Sequence, residues 1–138
     1  YMAYFQAVYD MVISQPVFHC LGHLDLVRRH KGYADNNLDY KKFGDMIDGI
    51  LQALIGQGKG LEVNTAGLRY GVGSMHPDLP ILKRYQELGG DVITCGSDAH
   101  RPEHVAMDIK EAYALLKACG FSYISRFIGG KEEKIPLL

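Results

Sequence analysis

Hydrophobic residues along the chain follow two alternating patterns. The first has helical spacing. From Leu38 the apolar positions are Phe43, Met46, Ile47, Ile50, Leu51, Leu54 and Ile55, the three-and-four spacing that turns one helix face into a core. Ile81, Leu82, Tyr85 and Leu88 repeat it and stop at Gly89-Gly90, a helix-ending signal. Pro102 and Glu103 suit a first helical turn; Val105, Ile109, Ala112 and Leu116 continue a stripe that Gly120 ends. Residues 4–13 predict a further helix. The second pattern is a short apolar run, at 17–21, 60–63, 92–95 and 121–124, each with β-branched or aromatic residues. The predicted order is α-β-α-β-α-β-α-β. Strands separated by crossover helices run parallel, so the expectation is an α/β fold with about four parallel strands. Such a sheet collects its chemistry at the strands' C-terminal ends.

Polar residues do accumulate there. Gly22-His23-Leu24-Asp25, then Arg28 and Arg29, follow the first run. Asn64-Thr65-Ala66-Gly67-Leu68-Arg69 follows the second, with Glu62 inside it, and Gly96-Ser97-Asp98-Ala99-His100-Arg101 follows the third. In Asp98-x-His100 alternate residues of an extended segment point to one side. A carboxylate oxygen and an imidazole nitrogen then suit Zn, Mn or Fe. Alone, the motif equally describes an Asp capping the next helix beside a surface His; His23, a second ligand-type residue just past a strand, favours metal. Asp25 could cap the segment after it. Glu62 is either a buried functional carboxylate or an edge residue facing water. Arg69 is a natural partner for Glu62 or for an anionic substrate, since its planar fork matches phosphate or carboxylate; its plain alternative is a solvated loop arginine.

The remaining polar positions carry less. Arg28-Arg29-His30-Lys31 has the composition of a solvated face, though one arginine could bind phosphate. His76, before Pro77 in a Gly-rich loop, is a candidate substrate contact or a plain loop residue. His30 and His104 lie among charges and are expected to be solvated, and His19 to be a packed or edge residue of the first strand. Asp35-Asn36-Asn37 predicts a turn or N-cap group.

Composition narrows the class. The 138 residues fit one domain, and 15 Lys+Arg against 16 Asp+Glu leave a net charge of −1, which argues against a nucleic-acid or membrane-surface binder. No apolar run approaches the ~20 residues of a membrane span. The start, Tyr1-Met2-Ala3-Tyr4-Phe5, lacks a basic segment followed by an apolar run, so no secretory leader is expected. Three widely spaced cysteines, Cys20, Cys95 and Cys119, give no disulfide framework or metal knuckle, and a cytoplasmic location is expected.

The segments GHLDLVRRH (22–30), LEVNTAGLRYGVGSMHPDLPILKRYQELGGDVITCGSDAH (61–100) and RPEHVA (101–106) closely resemble the histidinol-phosphate phosphatases of the polymerase-and-histidinol-phosphatase (PHP) superfamily. The resemblance runs from about Tyr1 to about Phe127. It implies a distorted, TIM-like (β/α)7 barrel with two or three divalent metals (Zn, Mn or Fe) at the strand ends, hydrolysing a phosphomonoester, L-histidinol phosphate. It implies metal ligation by His23, Asp98 and His100. It makes Arg69 a phosphate-binding residue and an arginine at 28–29, Arg29 in the first place, a second, and Asn64 matches a family-typical position; Asn64 and, from its loop position alone, His76 stand as further substrate-side candidates. Glu62 matches a family-typical position without a firm role.

The family's opening H-x-H motif, further His ligands and a bridging Glu precede the matching region, and none occurs here. Residues 1–138 are therefore expected to be a partial domain, the C-terminal half of a PHP barrel. It would need an N-terminal half or a second copy to cover its open sheet edges, and alone would have little or no activity. The expected partners are a small phosphate ester and that missing half, with no nucleic acid and no membrane. Other readings are a PHP phosphoesterase with a different substrate, a PHP nuclease, or a non-catalytic remnant serving as an interaction module.

Overall fold

Glycine and β-branched residues set the centre of the molecule. The computed structural model describes residues 1–30 and 38–138; Lys31 and the expected turn at Asp35-Asn36-Asn37 lie outside them. Strand β2 (Gly60–Asn64) lies between β1 (Cys20–Leu21) and β3 (Ile93–Gly96), all parallel. The register pairs Leu21 with Leu61, Glu62 with Thr94 and Asn64 with Gly96. Leu61, Val63 and Ile93 are fully buried, while Glu62 and Asn64 alternate with them and belong to the opposite face.

Helices form where the spacing predicts them. Helix α1 covers Met2–Ser14 and α2 Tyr40–Gly56. Asp39 caps α2 by accepting the Lys41 N–H at 3.0 Å, which satisfies one orphan donor of the first turn. Its buried stripe is Phe43, Ile47, Ile50, Leu51 and Leu54, and full burial of such side chains is worth about 1.5–3 kcal/mol each. A single turn, α3 (Ala66–Arg69), follows β2, and α4 (Leu79–Glu87) buries Ile81, Leu82 and Tyr85. Arg84 of α4 holds Asp48 of α2 through Nε at 3.0 and 3.1 Å and Nη2 at 2.7 Å. Helix α5 (Ile109–Ala118) buries Ala112 and Leu116.

Several expectations are corrected. The first strand spans only two residues, because 17–19 run in irregular backbone toward it. The helix expected from Pro102 is a 3-10 turn, Pro102–His104, with α5 starting at Ile109 after Asp108 in left-handed backbone. A second 3-10 turn, Leu26–Arg29, follows β1. The largest correction is the fourth parallel strand. That segment forms β4 (Tyr123–Ile128), antiparallel to an unforeseen β5 (Lys131–Pro136). Gly129 and Gly130 make the two-residue turn, both with positive φ, the geometry that matches the twist of a tight hairpin. A two-residue turn in place of a crossover helix joins β4 to β5, so this pair runs antiparallel.

The hairpin sits at the N-terminal ends of the sheet. Lys134 of β5 donates to the Asp91 carbonyl and carboxylate just before β3, both at 2.9 Å, and Phe127 of β4 stacks on His19 just before β1 at 4.5 Å. Among the described residues the parallel sheet has three strands and does not close. The outer edges of β1 and β3 carry no ladder, and a groove of about 490 Å³ lined by Tyr4, Val8, Met11, Phe18 and Leu21 runs beside β1.

Candidate active site at the strand C-termini

The loops after β1, β2 and β3 converge at one end of the sheet. Glu62 lies between them. Its Oε2 accepts the His23 backbone N–H and the Asn64 Nδ2–H, both at 3.2 Å. Space for the carboxylate comes from glycine on both flanking strands: a Cβ at Gly22 would sit 3.1 Å from Oε2, and one at Gly96 would overlap Oε1. Glu62 is thus a partly buried carboxylate tied to the end of β1, and of the two partners considered for Arg69 it is not the one engaged.

Arg69 instead reaches the loop after β3. Its Nη2 donates to the Ser97 carbonyl at 2.5 Å and the Asp98 carbonyl at 3.2 Å, while Nε and Nη1 are buried and have no partner among the described residues. Buried donors without acceptors cost about 1–3 kcal/mol each, so this fork is suited to an anion.

Asp98 receives Arg29. Nη1 and Nη2 of Arg29 lie 3.5 Å from Asp98 Oδ2, and its guanidinium carbon is 4.7 Å from the Tyr70 ring. On the other side of Asp98, Oδ1 is 3.2 Å from His100 Nε2. Asp98 caps no helix, the capping position of the following turn being Arg101. His23 and Asp98 both have positive φ, 30° and 49°, a region that costs a non-glycine residue energy and recurs where side chains are aimed for function. Asp98 and His100 are in contact, with His23 at the end of β1, on the far side of β2. Among the described residues no three His, Cys, Asp or Glu side chains gather to hold a metal. In kind, the donor set of one carboxylate and two imidazoles fits a borderline divalent cation.

Sequence reasoning misjudged the layer beneath. Asp25 stands at the N-cap position of the 3-10 turn Leu26–Arg29 as expected, but its side chain makes no capping bond: it is fully buried and accepts from Arg28 Nη1 at 3.1 Å and the Asp78 N–H at 3.0 Å. Arg28, expected in a solvated run, is 2% exposed, whereas His30 is exposed as expected. His76 is fully buried, with Nδ1 2.6 Å from Asp25 Oδ1 and Nε2 accepting from Arg29 Nε at 3.0 Å. Its ring thus lies between Asp25 and Arg29. Asn64 spends its amide on Glu62 and on the Ala66 N–H at 3.0 Å, bracing the end of β2. His104, expected in solvent, is half-buried with Nδ1 enclosed. No sequence signal marks Asp25 and His76 as partners, because 51 residues separate them.

The thiols are not activated. Burial raises all three, and the Cys95 thiol is pushed up to about 12, with the Glu62 charge adding to the effect. Since the thiolate is the nucleophile, none is prepared for covalent catalysis.

No family model matches the chain. A probable histidinol-phosphatase of Thermotoga maritima is 39% identical over 121 residues, which are 88% of this chain and 48% of that protein. The histidinol-phosphatase of Lactococcus lactis is 32% identical over 132 residues, 95% of this chain and 48% of that protein. The crystal structure of the Lactococcus lactis histidinol phosphate phosphatase, complexed with zinc, L-histidinol and phosphate, superposes with a TM-score of 0.81 at 30% identity over 96% of this chain and 50% of that one. The chain is a homologue of the histidinol-phosphatases over about half their length. It spans about half of the curated relatives it matches. No helix among the described residues is long and apolar enough to cross a membrane.

Proposed function

We propose that the chain is the C-terminal half of a metal-dependent phosphomonoester hydrolase acting on histidinol phosphate. The observation that carries this reading is the buried, unpartnered donor pair of Arg69 beside Asp98 and His100, in a chain whose relatives are histidinol-phosphatases. His23, Asp98 and His100 would hold divalent cations, zinc being the ion in the Lactococcus lactis complex. When bound, such cations supply Lewis-acid charge and acidify an attacking water.

The chain's own residues do the rest. Arg69 donates Nε–H and Nη1–H to phosphoryl oxygens, and Arg29 approaches from the β1 side with the outer N–H groups of its fork. Together they neutralise charge that builds on the phosphoryl group as the alkoxide leaves. Their frames are fixed beforehand, Arg69 by two β3-loop carbonyls and Arg29 by His76, Tyr70 and, through its outer nitrogens, Asp98, so little reorganisation is needed. Glu62 holds the His23 backbone, which places that imidazole at the end of β1. No serine or cysteine nucleophile is required.

Residues 1–138 contain part of a metal set, so the complete site needs donors supplied by a further segment or a second copy, for which the open edge of β1 leaves room. The test is hydrolysis of histidinol phosphate by the complete gene product carrying this chain, with zinc present and after chelation. Zinc-dependent release of phosphate is expected. Undiminished turnover in chelator would exclude the metal-dependent mechanism, and failure to hydrolyse this ester while cleaving another would reassign the substrate.

A further inference from the structure

Beneath the two arginines lies a polar layer with no surface of its own. Asp25 and His76 are fully buried and Arg28 is 2% exposed. Asp25 uses both oxygens, Oδ1 facing His76 Nδ1 at 2.6 Å and Oδ2 accepting from Arg28 and from the Asp78 N–H. Arg28 donates to Ser74 Oγ at 2.9 Å and lies 3.7 Å from Asp78 Oδ2. The Asp25 charge is therefore already compensated without the histidine, and packing alone would be served by an apolar ring at position 76.

His76 does something else. A guanidinium can only donate, so the 3.0 Å contact makes His76 Nε2 the acceptor of Arg29 Nε–H and places the ring proton on Nδ1, facing Asp25. The ring is clamped in that orientation. Its backbone pairs with Asn64 in both directions, at 2.6 and 2.9 Å. Gly67 lies so close that an added Cβ would stand 3.2 and 3.3 Å from His76 Cδ2 and Nε2. Of the two neighbouring arginines, the one that His76 touches is the one left 20% exposed beside Asp98.

We propose that His76, oriented by Asp25, is a positioning residue: it fixes the last torsion of Arg29 so that the outer nitrogens of the fork, 3.5 Å from Asp98 Oδ2, stay beside Asp98, where the phosphoryl group is placed. This rests on the phosphatase reading given above. Fixing Nε removes a rotation that an arginine otherwise loses on binding, so the histidine acts on substrate affinity more than on the chemical step.

Two substitutions separate this role from plain packing. In His76→Gln the terminal amide oxygen falls near the place of Nε2 and still accepts from Arg29, but the bond to Asp25 is lost. In His76→Asn the amide nitrogen falls near Nδ1 and still donates to Asp25, but the acceptor for Arg29 is gone. In the complete gene product with zinc, His76→Asn should raise KM for histidinol phosphate about tenfold and leave kcat within about twofold, the loss of one charged hydrogen bond. His76→Gln should hold KM within about twofold. The Arg29 Nε–H resonance, read by 15N NMR, should be protected from exchange in the wild type and in His76→Gln and lose protection in His76→Asn. Equal KM changes in the two variants, an unchanged KM in His76→Asn, or a loss confined to kcat would overturn the proposal. If the wild-type protein hydrolysed no phosphate ester, the phosphatase reading would fall and with it a role for His76 in turnover; the resonance would still separate that failure from a failure of the Asp25–His76–Arg29 contact.

Discussion

Replacing Arg69 by methionine removes the fork while keeping most of its aliphatic bulk. The two unpartnered donors, Nε and Nη1, are the ones assigned to phosphate. Hydrogen bonds to charged groups are worth about 1.5–3 kcal/mol each, so two give about 3–6 kcal/mol. Ordering the substrate against the fork costs part of that gain, which selects the lower end. About 3 kcal/mol is roughly a hundredfold loss in kcat/KM. Stability should behave differently. The variant forfeits the bonds to the Ser97 and Asp98 carbonyls but also removes two buried orphan donors, and these contributions oppose each other to within about 1 kcal/mol. The assay is steady-state hydrolysis by the complete gene product in zinc, beside urea unfolding of both proteins. Phosphate at about 100 times its Kd should add about 2.7 kcal/mol to the wild type and far less to the variant. A kcat/KM loss below about fivefold, or an undiminished phosphate effect, would refute the assignment.

Three further outcomes follow from other parts of the structure. Gly96→Ala places a Cβ against Glu62 Oε1; it should displace that carboxylate, cost about 1–3 kcal/mol as overpacking does, and lower hydrolysis more than the stability loss accounts for, as measured by kinetics and urea unfolding on one sample. Leu54→Ala empties a fully buried position of α2 and should cost about 2–5 kcal/mol in urea unfolding, with less than 1 kcal/mol pointing to a core that collapses around the gap. Burial raises the Cys95 thiol from an ordinary 9.0 to about 12, so the fold favours the neutral form. Its contribution is complete below about pH 9 and is lost as pH rises from there toward 12; Cys95→Ala should flatten the alkaline decline of the urea midpoint, and an unchanged decline would place its cause elsewhere.

The helices of the core were legible in the sequence because each carries its own periodic signal: the stripe from Phe43 to Leu54 and the one from Ile81 to Tyr85 are buried as spacing predicts. So was the gathering of His23, Arg69 and Asp98 at one end, since parallel strands leave no other arrangement. The hairpin was missed although its signal was present: Gly129-Gly130 stands between two strand-length runs, but Lys131-Glu132-Glu133-Lys134 is charged and mostly exposed, so no hydrophobic alternation announced β5. His76 was ambiguous for a different reason. Burial and partners depend on segments that meet only in space, and a histidine in a Gly-rich loop gives the same local pattern whether it faces water or a buried aspartate.

By itself the sequence determined the α/β alternation, the strand ends at which polar residues gather, and the candidate ligands His23, Asp98 and His100. Those features are local or follow from chain connectivity. Only the tertiary structure decided which polar groups work at the surface and which work beneath it. Arg28 and Arg29 are adjacent in sequence, yet one is locked between Asp25 and Asp78 and the other emerges beside Asp98. Their difference comes from which partners the folded loops after β1 and β2 bring within hydrogen-bond reach, since a buried charge persists only where such partners are already in place.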